Sequence, residues 1–202
     1  MSGKLITLEG IDGAGKSTHV AYVGELARAR AGVAAVLTRE PGGTRLGEHL
    51  RELLLHHAMA PSTEAMLMFA ARREHLETVI WPALASGQWV ICDRFTDATM
   101  AYQGGGRGIP IERLSALEAW THPGFQPDLT LLFDVPVEVS AGRLSTHGSL
   151  DKFESEEAPF HHRVRAAYLA RAAADPGRFR TVDSTQPVAS VRARLQEIVS
   201  AL

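Results

Sequence analysis

The chain of 202 residues carries 21 lysines and arginines against 23 aspartates and glutamates, which gives a net charge of −2. This balance excludes the broad basic surface that duplex nucleic acid or an anionic membrane requires, so any nucleotide partner is expected to be a small molecule. With 45% apolar residues, the chain is long enough to bury a core, and its length predicts a single domain over residues 1–202. The only cysteine, Cys92, lies in an apolar run and is predicted to be a buried thiol in a reducing cytosol.

The N-terminal stretch MSGKLITLEG contains an apolar run that is too short for the central segment of a secretory signal. Elsewhere, no stretch reaches the roughly 18 to 20 uninterrupted apolar residues of a membrane span. We therefore expect a cytoplasmic protein.

Short aliphatic or β-branched runs alternate with longer segments of helical period. Strands are predicted over 5–9, 33–38, 89–93, 128–135 and 178–183. Helices are predicted over 16–31, 44–57, 62–86, 110–120, 136–146, 155–174 and 187–201. This alternation predicts an α/β fold with a five-stranded parallel sheet flanked by helices, and ligands bind such sheets at the carboxyl ends of the strands. The polar, interrupted stretch at about 144–158 is predicted to be a mobile lid.

The sequence GIDGAGKST follows the first predicted strand and opens the first predicted helix. Its glycines and its Lys-Ser pair fit the phosphate-binding pattern G-x-x-x-x-G-K-[ST]. In that pattern backbone N–H groups turn toward phosphate oxygens, the helix N-terminus adds positive potential, Lys16 faces the terminal phosphates and the Ser17 hydroxyl contacts Mg²⁺. We predict that the stretch holds a phosphate donor through Gly10, Ile11, Asp12, Gly13, Ala14, Gly15, Lys16, Ser17 and Thr18.

This pattern alone leaves a GTPase switch, an ATPase motor and a small-molecule kinase open. No Asn-Lys-x-Asp segment for reading guanine follows any predicted strand. The helices after the phosphate-binding loop are also too compact for a motor with appended modules. The sequence therefore favours a kinase.

Asp93 and Arg94 lie at the end of the third predicted strand. An acid at this place can hold Mg²⁺ through water, and an arginine can reach a phosphate under attack, which are the main requirements of phosphoryl transfer. Arg51 lies on the helix after the second predicted strand, where we expect it to contact the phosphate of the acceptor. These residues predict a second phosphate site beside the loop.

A third group of residues has the spacing of a base-binding site. Met68 and Arg72 lie four residues apart on one face of a predicted helix, with Phe69 adjacent to Met68. This spacing can hold a planar base between an apolar side chain and a guanidinium.

With these stretches in hand, the chain resembles bacterial thymidylate kinases nearly from end to end. The resemblance is carried by LEGIDGAGKST, TREPGGT, MFAARREHLETVI, CDRFTDATMAYQGGGRG, PDLTLLFDV and DSTQP. It implies a P-loop NTPase of the nucleoside-monophosphate kinase fold that transfers the γ-phosphate of ATP to dTMP with Mg²⁺. The products would be ADP and dTDP, and the protein would be a homodimer that associates through helices.

The resemblance also implies roles for residues of the donor site. Lys16 and Ser17 would bind the ATP phosphates and magnesium, and Asp93 would hold the same metal. Arg94 would contact the migrating and acceptor phosphates. Asp12 would point away from the donor phosphates and bind the 3′-hydroxyl of the acceptor or a metal-bound water.

On the acceptor side, the resemblance implies that Arg51 holds the phosphate of dTMP and that Arg72 meets a thymine carbonyl. Thr99 and Gln103 would read the edge of the base. Tyr102 would crowd a ribose 2′-hydroxyl, which would favour the deoxy sugar.

Two positions depart from the family pattern. Where many relatives stack a phenylalanine on thymine, this chain has Met68 with Phe69 next to it; either side chain could face the base, and Phe69 is taken as the candidate. Relatives with an acid in the phosphate-binding loop commonly carry an arginine-rich lid, which is sparse here. Arg143 is predicted to supply transition-state charge because a guanidinium bridges two phosphate oxygens, with Lys152 and His147 as weaker candidates.

Two alternatives remain open at this point. The chain could phosphorylate another pyrimidine nucleotide or a deoxynucleoside, or it could be a nucleotide-binding regulator with weak catalysis, which the sparse lid makes conceivable.

Overall fold

The computed structural model describes residues 3–145 and 151–202. Within these ranges, the strands form one all-parallel sheet of order β2-β3-β1-β4-β5, which confirms the predicted five-stranded parallel sheet. The central strands are buried on both faces, which is why they appear in the sequence as continuous aliphatic runs. The strands are β1 (Leu5–Glu9), β2 (Val36–Arg39), β3 (Val90–Asp93), β4 (Leu129–Asp134) and β5 (Phe179–Asp183).

Helices cover both faces of the sheet and supply much of the core. They are α1 (Ser17–Ala31), α2 (Arg45–His56), α3 (Pro61–His75), α4 (Trp81–Ala85), α5 (Thr96–Thr99), α6 (Ile111–Thr121), α7 (Val137–Leu144), α8 (Ala158–Ala174) and α9 (Val188–Ser200). A π-helical turn, Leu76–Ile80, joins α3 to α4, so the helix predicted over 62–86 is one continuous helical segment with a wider turn inside it. None of the helices in the described part of the chain is long and apolar enough to cross a membrane.

The main departure from the predicted elements lies directly after β3. Helix α5 continues as a π-helix, Met100–Gly106, where the sequence predicts no helix because three consecutive glycines follow Gln103. Gly105 and Gly106 let α8 approach closely: a Cβ on Gly105 would lie 2.6 Å from the Cβ of Ala167. Tertiary packing has therefore overridden the low helical propensity of glycine.

The parallel sheet brings the ends of its strands to one edge of the molecule. The turns after β1 and β3 both leave the sheet at this edge, because Leu8 pairs with Asp93 in neighbouring strands. The phosphate-binding loop and the segment beginning at Arg94 are consequently adjacent, as expected for a ligand site in an open parallel sheet.

Candidate active site

The loop between β1 and α1 has the conformation of a phosphate cradle. Gly10, Gly13 and Gly15 have φ values of 137°, 72° and 87°, which only glycine adopts readily. A Cβ on Gly10 would lie 2.4 Å from the carbonyl oxygen of Phe133 in β4, so the loop is pressed against the sheet. An open cavity of about 1550 Å³ including its mouth, called the donor cavity below, is bordered by Asp12, Gly13, Gly15, Lys16, Ser17 and Thr18 of this loop.

Lys16 lies inside this loop and is nearly buried. Its Nζ donates to the carbonyl oxygens of Gly10 at 3.0 Å and Ile11 at 3.1 Å. Burial and the nearby Arg94 lower the pKa of Lys16 to about 8, although the neighbouring carboxylates oppose this shift. The ammonium is therefore held at the base of the cradle and titrates close to physiological pH.

Asp93 and Ser17 supply oxygen atoms at the edge of the donor cavity. Asp93 ends β3 and Ser17 begins α1. The Oδ1 atom of Asp93 is buried and has no hydrogen-bond partner among the described residues. A carboxylate and a hydroxyl are ligands that Mg²⁺ accepts, so the residues present fit this ion.

Arg94 has the left-handed backbone φ of 70°, which is uncommon for a bulky residue. The next N–H, that of Phe95, donates to Glu9 Oε1 at 2.7 Å and holds the turn in place. The guanidinium donates to Gly10 O at 3.0 Å and to the hydroxyls of Tyr168 and Tyr102 at 3.1 and 3.0 Å. The surrounding structure thus fixes both the backbone and the side chain of Arg94.

Asp12 forms an ion pair with Arg94 and accepts a hydrogen bond from the Tyr102 hydroxyl at 2.6 Å. Burial would raise the pKa of Asp12, but the charges of Arg94 and Lys16 and the two hydrogen bonds lower it to about 2. The carboxylate therefore stays ionised at neutral pH and orients the arginine and the tyrosine.

Two further members of this network, Glu9 and Tyr168, were missed by the sequence reasoning. The Tyr168 hydroxyl donates to Glu9 Oε2 at 2.8 Å and accepts from Arg94. Burial, followed by repulsion from Asp97, raises the pKa of Glu9 to about 8. An acid inside the aliphatic run LITLE was a signal that could have identified Glu9, whereas Tyr168 resembles any other aromatic residue on a helix.

The second cavity, of about 580 Å³ including its open mouth, is called the acceptor cavity. The predicted substrate residues that border it are Arg51, Arg72, Arg94, Thr99, Tyr102 and Gln103. Arg51 Nη1 donates to the carbonyl oxygen of Pro41 at 3.0 Å, which anchors the guanidinium where it borders both cavities.

Arg72 borders the acceptor cavity but not the donor cavity, and its side chain is 2% exposed. Its Nε donates to Glu40 at 2.7 Å and its Nη2 donates to Thr99 Oγ1 at 2.9 Å. Its Nη1 is buried without a hydrogen-bond partner in the described ranges, so one donor remains for a ligand. Glu40, also contacted by His75 at 3.0 Å, was missed because the sequence around TREPGGT only indicated a turn.

Met68 and Phe69 occupy different environments. Met68 borders the acceptor cavity, whereas Phe69 does not. Phe69 packs with Met100 and Leu114 in the core, and the guanidinium of Arg72 lies 4.9 Å from the centre of its ring. Because consecutive residues of a helix are rotated by about 100°, Met68 and Phe69 face different directions on α3. The geometry therefore favours Met68 as the residue that contacts a base, whereas Phe69 packs against Arg72 in the core.

The residues predicted to supply transition-state charge from the lid have different surroundings. Arg143 borders the donor cavity and donates to the carbonyl oxygens of Gly13 at 3.1 Å and Ser184 at 2.7 Å. Lys152 instead forms an ion pair with the buried Glu64 at 2.7 Å. His147 lies outside the described residues.

The donor and acceptor cavities meet. Both are bordered by Asp12, Glu40, Arg51 and Arg94, so a group bound in one cavity can reach a group bound in the other. Of these residues, Asp12 and Arg94 form the fixed pair described above. The arrangement suits direct transfer of a phosphoryl group between two bound molecules, in which positioning and charge neutralisation contribute most of the catalysis.

The parallel sheet, the phosphate-binding loop and the adjoining acceptor cavity define an enzyme of the P-loop nucleoside-monophosphate kinase class. Within that class, the sequence model of the family described as thymidylate kinase matches residues 8–195. The chain belongs to the thymidylate kinase family.

Individual relatives agree with this assignment. The chain is 60% identical over 202 residues to a thymidylate kinase of Cupriavidus metallidurans, with 100% of both chains covered. It is 59% identical to a thymidylate kinase of Methylobacillus flagellatus over 199 residues, or 98% of each chain. The crystal structure of thymidylate kinase from Ehrlichia chaffeensis has a TM-score of 0.81 at 33% identity and covers 99% of each chain. These similarities confirm the family resemblance and the fold that the motifs predicted.

Proposed function

We propose that this protein transfers the γ-phosphate of ATP to dTMP, giving ADP and dTDP, a step in the synthesis of dTTP. The observation that carries this proposal is the meeting of the donor and acceptor cavities at Asp12 and Arg94. Family membership supports ATP as the donor and dTMP as the acceptor.

On the donor side, the backbone N–H groups of the loop and the ammonium of Lys16 bind the phosphates of ATP. Ser17 and Asp93 would hold Mg²⁺, and the unpartnered Oδ1 of Asp93 supports this role. When bound, the ion would neutralise charge on the β- and γ-phosphates. The N-terminus of α1 adds positive potential at the same place.

On the acceptor side, Arg51 and Arg94 bind the phosphate of dTMP, and Arg94 follows the phosphoryl group during transfer. Asp12 orients Arg94 and accepts a hydrogen bond from the 3′-hydroxyl of the sugar, since its carboxylate borders both cavities. The ring of Tyr102 crowds the 2′ position. Its hydroxyl is already engaged by Asp12 and Arg94.

The base binds at the far end of the acceptor cavity. Met68 packs against one face of thymine, and the unpartnered Nη1 of Arg72 donates to a carbonyl oxygen. Thr99 Oγ1 accepts from Arg72, so its proton is available to a second acceptor. Gln103 reads the adjacent edge of the ring.

A homodimer and the lid predicted at about 144–158, of which residues 146–150 lie outside the described part of the chain, complete the proposal. Large apolar side chains are exposed on α2, α3 and α6, among them Leu53, Met66 and Trp120, and this supports association through helices. The described part of the lid reaches the acceptor cavity through Asp151 and Phe153. Closure of such a segment over the substrates would exclude water during transfer.

A coupled assay of ADP formation with ATP and Mg²⁺ tests the activity directly. We expect kcat/KM to be highest for dTMP among dTMP, dUMP, dCMP, UMP and thymidine. Higher activity with another acceptor would identify the protein as a different pyrimidine kinase. Tight binding of ATP and dTMP without turnover would instead indicate a regulatory protein.

A further inference from the structure

A buried carboxylate lies behind the base end of the acceptor cavity. Glu64, near the start of α3, has a side chain that is 2% exposed. It accepts a hydrogen bond from Gln103 Nε2 at 3.0 Å. Arg107 Nε at 3.3 Å and Lys152 Nζ at 2.7 Å also donate to it. These two cations compensate the buried negative charge, which would otherwise be costly.

The carboxylate determines which way the Gln103 amide faces. A carboxylate offers only acceptors, whereas an amide group has a donor end and an acceptor end. The NH₂ group of Gln103 must therefore face Glu64, and its Oε1 must face elsewhere. No donor within residues 3–145 and 151–202 reaches Oε1, and Gln103 borders the acceptor cavity. An acceptor is thus presented to the base.

Together with Arg72, this acceptor matches one kind of pyrimidine edge. The unpartnered Arg72 Nη1 provides a donor for a carbonyl group, and Gln103 Oε1 provides an acceptor for a ring N–H. Thymine and uracil carry a 4-carbonyl beside an N3–H. Cytosine carries a 4-amino group beside an unprotonated N3, so its donor and acceptor are reversed.

We propose that Glu64 is a positioning residue that fixes the Gln103 amide and thereby makes the site select thymine or uracil over cytosine. Glu64 does not touch the substrate; it acts through Gln103. The inference rests on the proposed function, since it concerns the base of the same acceptor nucleotide.

The variant E64Q tests this role because it keeps the size of the side chain but adds a donor. The amide at position 64 pairs with Gln103 in either orientation, so Gln103 becomes free to present its NH₂ group to a base. We expect the ratio of the dissociation constants of dCMP and dTMP, measured by calorimetry, to fall at least about tenfold. The ratio of kcat/KM values should fall equally, mainly through KM, while kcat with saturating dTMP changes by less than about threefold.

Glu156→Gln is a matched control. Glu156 also pairs with Arg107 but does not contact Gln103. We expect E156Q to leave the dCMP-to-dTMP ratio within about twofold of wild type, because the orientation of the amide is unchanged. An equal loss of discrimination in E156Q and E64Q would overturn the inference in favour of a general effect of charge.

The double variant E64Q/Q103E exchanges the two side chains and keeps both the pair and its net charge. Position 103 then presents only acceptors, so we expect preference for dTMP to return to within about threefold of wild type. If E64Q does not fold, a loss of dTMP preference in the exchanged variant would still overturn the inference. Unchanged discrimination in folded E64Q, or discrimination that stays lost in the exchanged variant, would overturn the role of Glu64.

The proposed function and the role of Glu64 can be contradicted independently of each other. Wild-type protein without dTMP kinase activity would contradict the proposed function, yet the binding ratios would still test Glu64. Active wild type with an unchanged ratio in E64Q would contradict only the role of Glu64.

Discussion

The charge of Lys16 depends on pH close to the physiological range. Burial and Arg94 lower its pKa from 10.5 to about 8, so the ammonium predominates below pH 8 and is lost as the pH rises through that value. ATP binding should weaken over the same range because the cradle loses a positive charge. We predict that kcat/KM for ATP falls about tenfold per pH unit above pH 8.

The variant K16R provides the control for this profile. Its guanidinium remains charged throughout the range, so the alkaline decline should disappear even if the overall rate is lower. Glu9, with a pKa of about 8, also titrates nearby. Because Glu9 is present in both proteins, a decline that persists in K16R would assign the titration to Glu9, and a flat wild-type profile up to pH 9.5 would refute both assignments.

Tyr102 combines two proposed roles that substitutions can separate. Its hydroxyl donates to Asp12, and its ring borders the acceptor cavity. We predict that Y102F lowers kcat about tenfold by loosening the Asp12 and Arg94 pair, with unchanged discrimination against the ribose form of the substrate. Y102L should relax that discrimination, because it removes the ring.

The measurement is kcat/KM for dTMP relative to its 2′-hydroxyl analogue in wild type and both variants. A relaxed ratio already present in Y102F would show that the hydroxyl, and not the ring, crowds the 2′ position. Undiminished discrimination in a folded Y102L protein would count against crowding altogether.

At the scale of elements, the two candidate lid cations lie on different segments: Arg143 lies on α7, and Lys152 lies in the segment between α7 and α8. Arg143, near the end of α7, joins the phosphate-binding loop to the segment after β5 through Gly13 O and Ser184 O. Lys152 is instead bound to Glu64 beside the acceptor cavity. We predict that R143A lowers kcat at least about a hundredfold, because the donor cavity loses a cation near the phosphates.

K152A is the matched test of the other lid cation. Since its Nζ lies 2.7 Å from Glu64, its removal should raise the KM for dTMP while kcat stays within about threefold. R143K should recover part of the rate, because lysine restores the positive charge but lacks the planar guanidinium that donates two hydrogen bonds at once. A large loss of kcat in K152A together with an active R143A would transfer the catalytic role to Lys152.

The elements also explain how far the sequence could predict this protein. The strands and the phosphate-binding loop were predictable because buried parallel strands leave aliphatic runs and the loop has a fixed glycine spacing. The helix from Thr96 to Gly106 was not, since Gly105 and Gly106 are explained only by contact with α8 and Gly104 by contact with α6. The roles of Glu40 and Glu64 were hidden for the same reason: their partners are distant in sequence and meet them only in the folded protein.

At the scale of the whole molecule, the exposed apolar residues concentrate on neighbouring helices. Helix α3 packs against both α2 and α6. Leu53 on α2, Met66 on α3 and Ile111 and Trp120 on α6 are all exposed, with Trp120 at 86%. An isolated chain gains nothing from exposing a tryptophan to this extent, whereas burial of an aromatic side chain often dominates the energy of an interface.

We predict that the protein has twice the monomer mass in light scattering coupled to size-exclusion chromatography, and that W120E shifts it to the monomer. A charge placed in an apolar interface must be desolvated without a partner, so the dissociation constant should rise at least about a hundredfold. V188E is the matched control: Val188 is 50% exposed on α9, which packs against α1 and β5. A wild-type monomer at micromolar concentration would contradict the homodimer, and a W120E dimer as stable as that of V188E would place the interface on another surface.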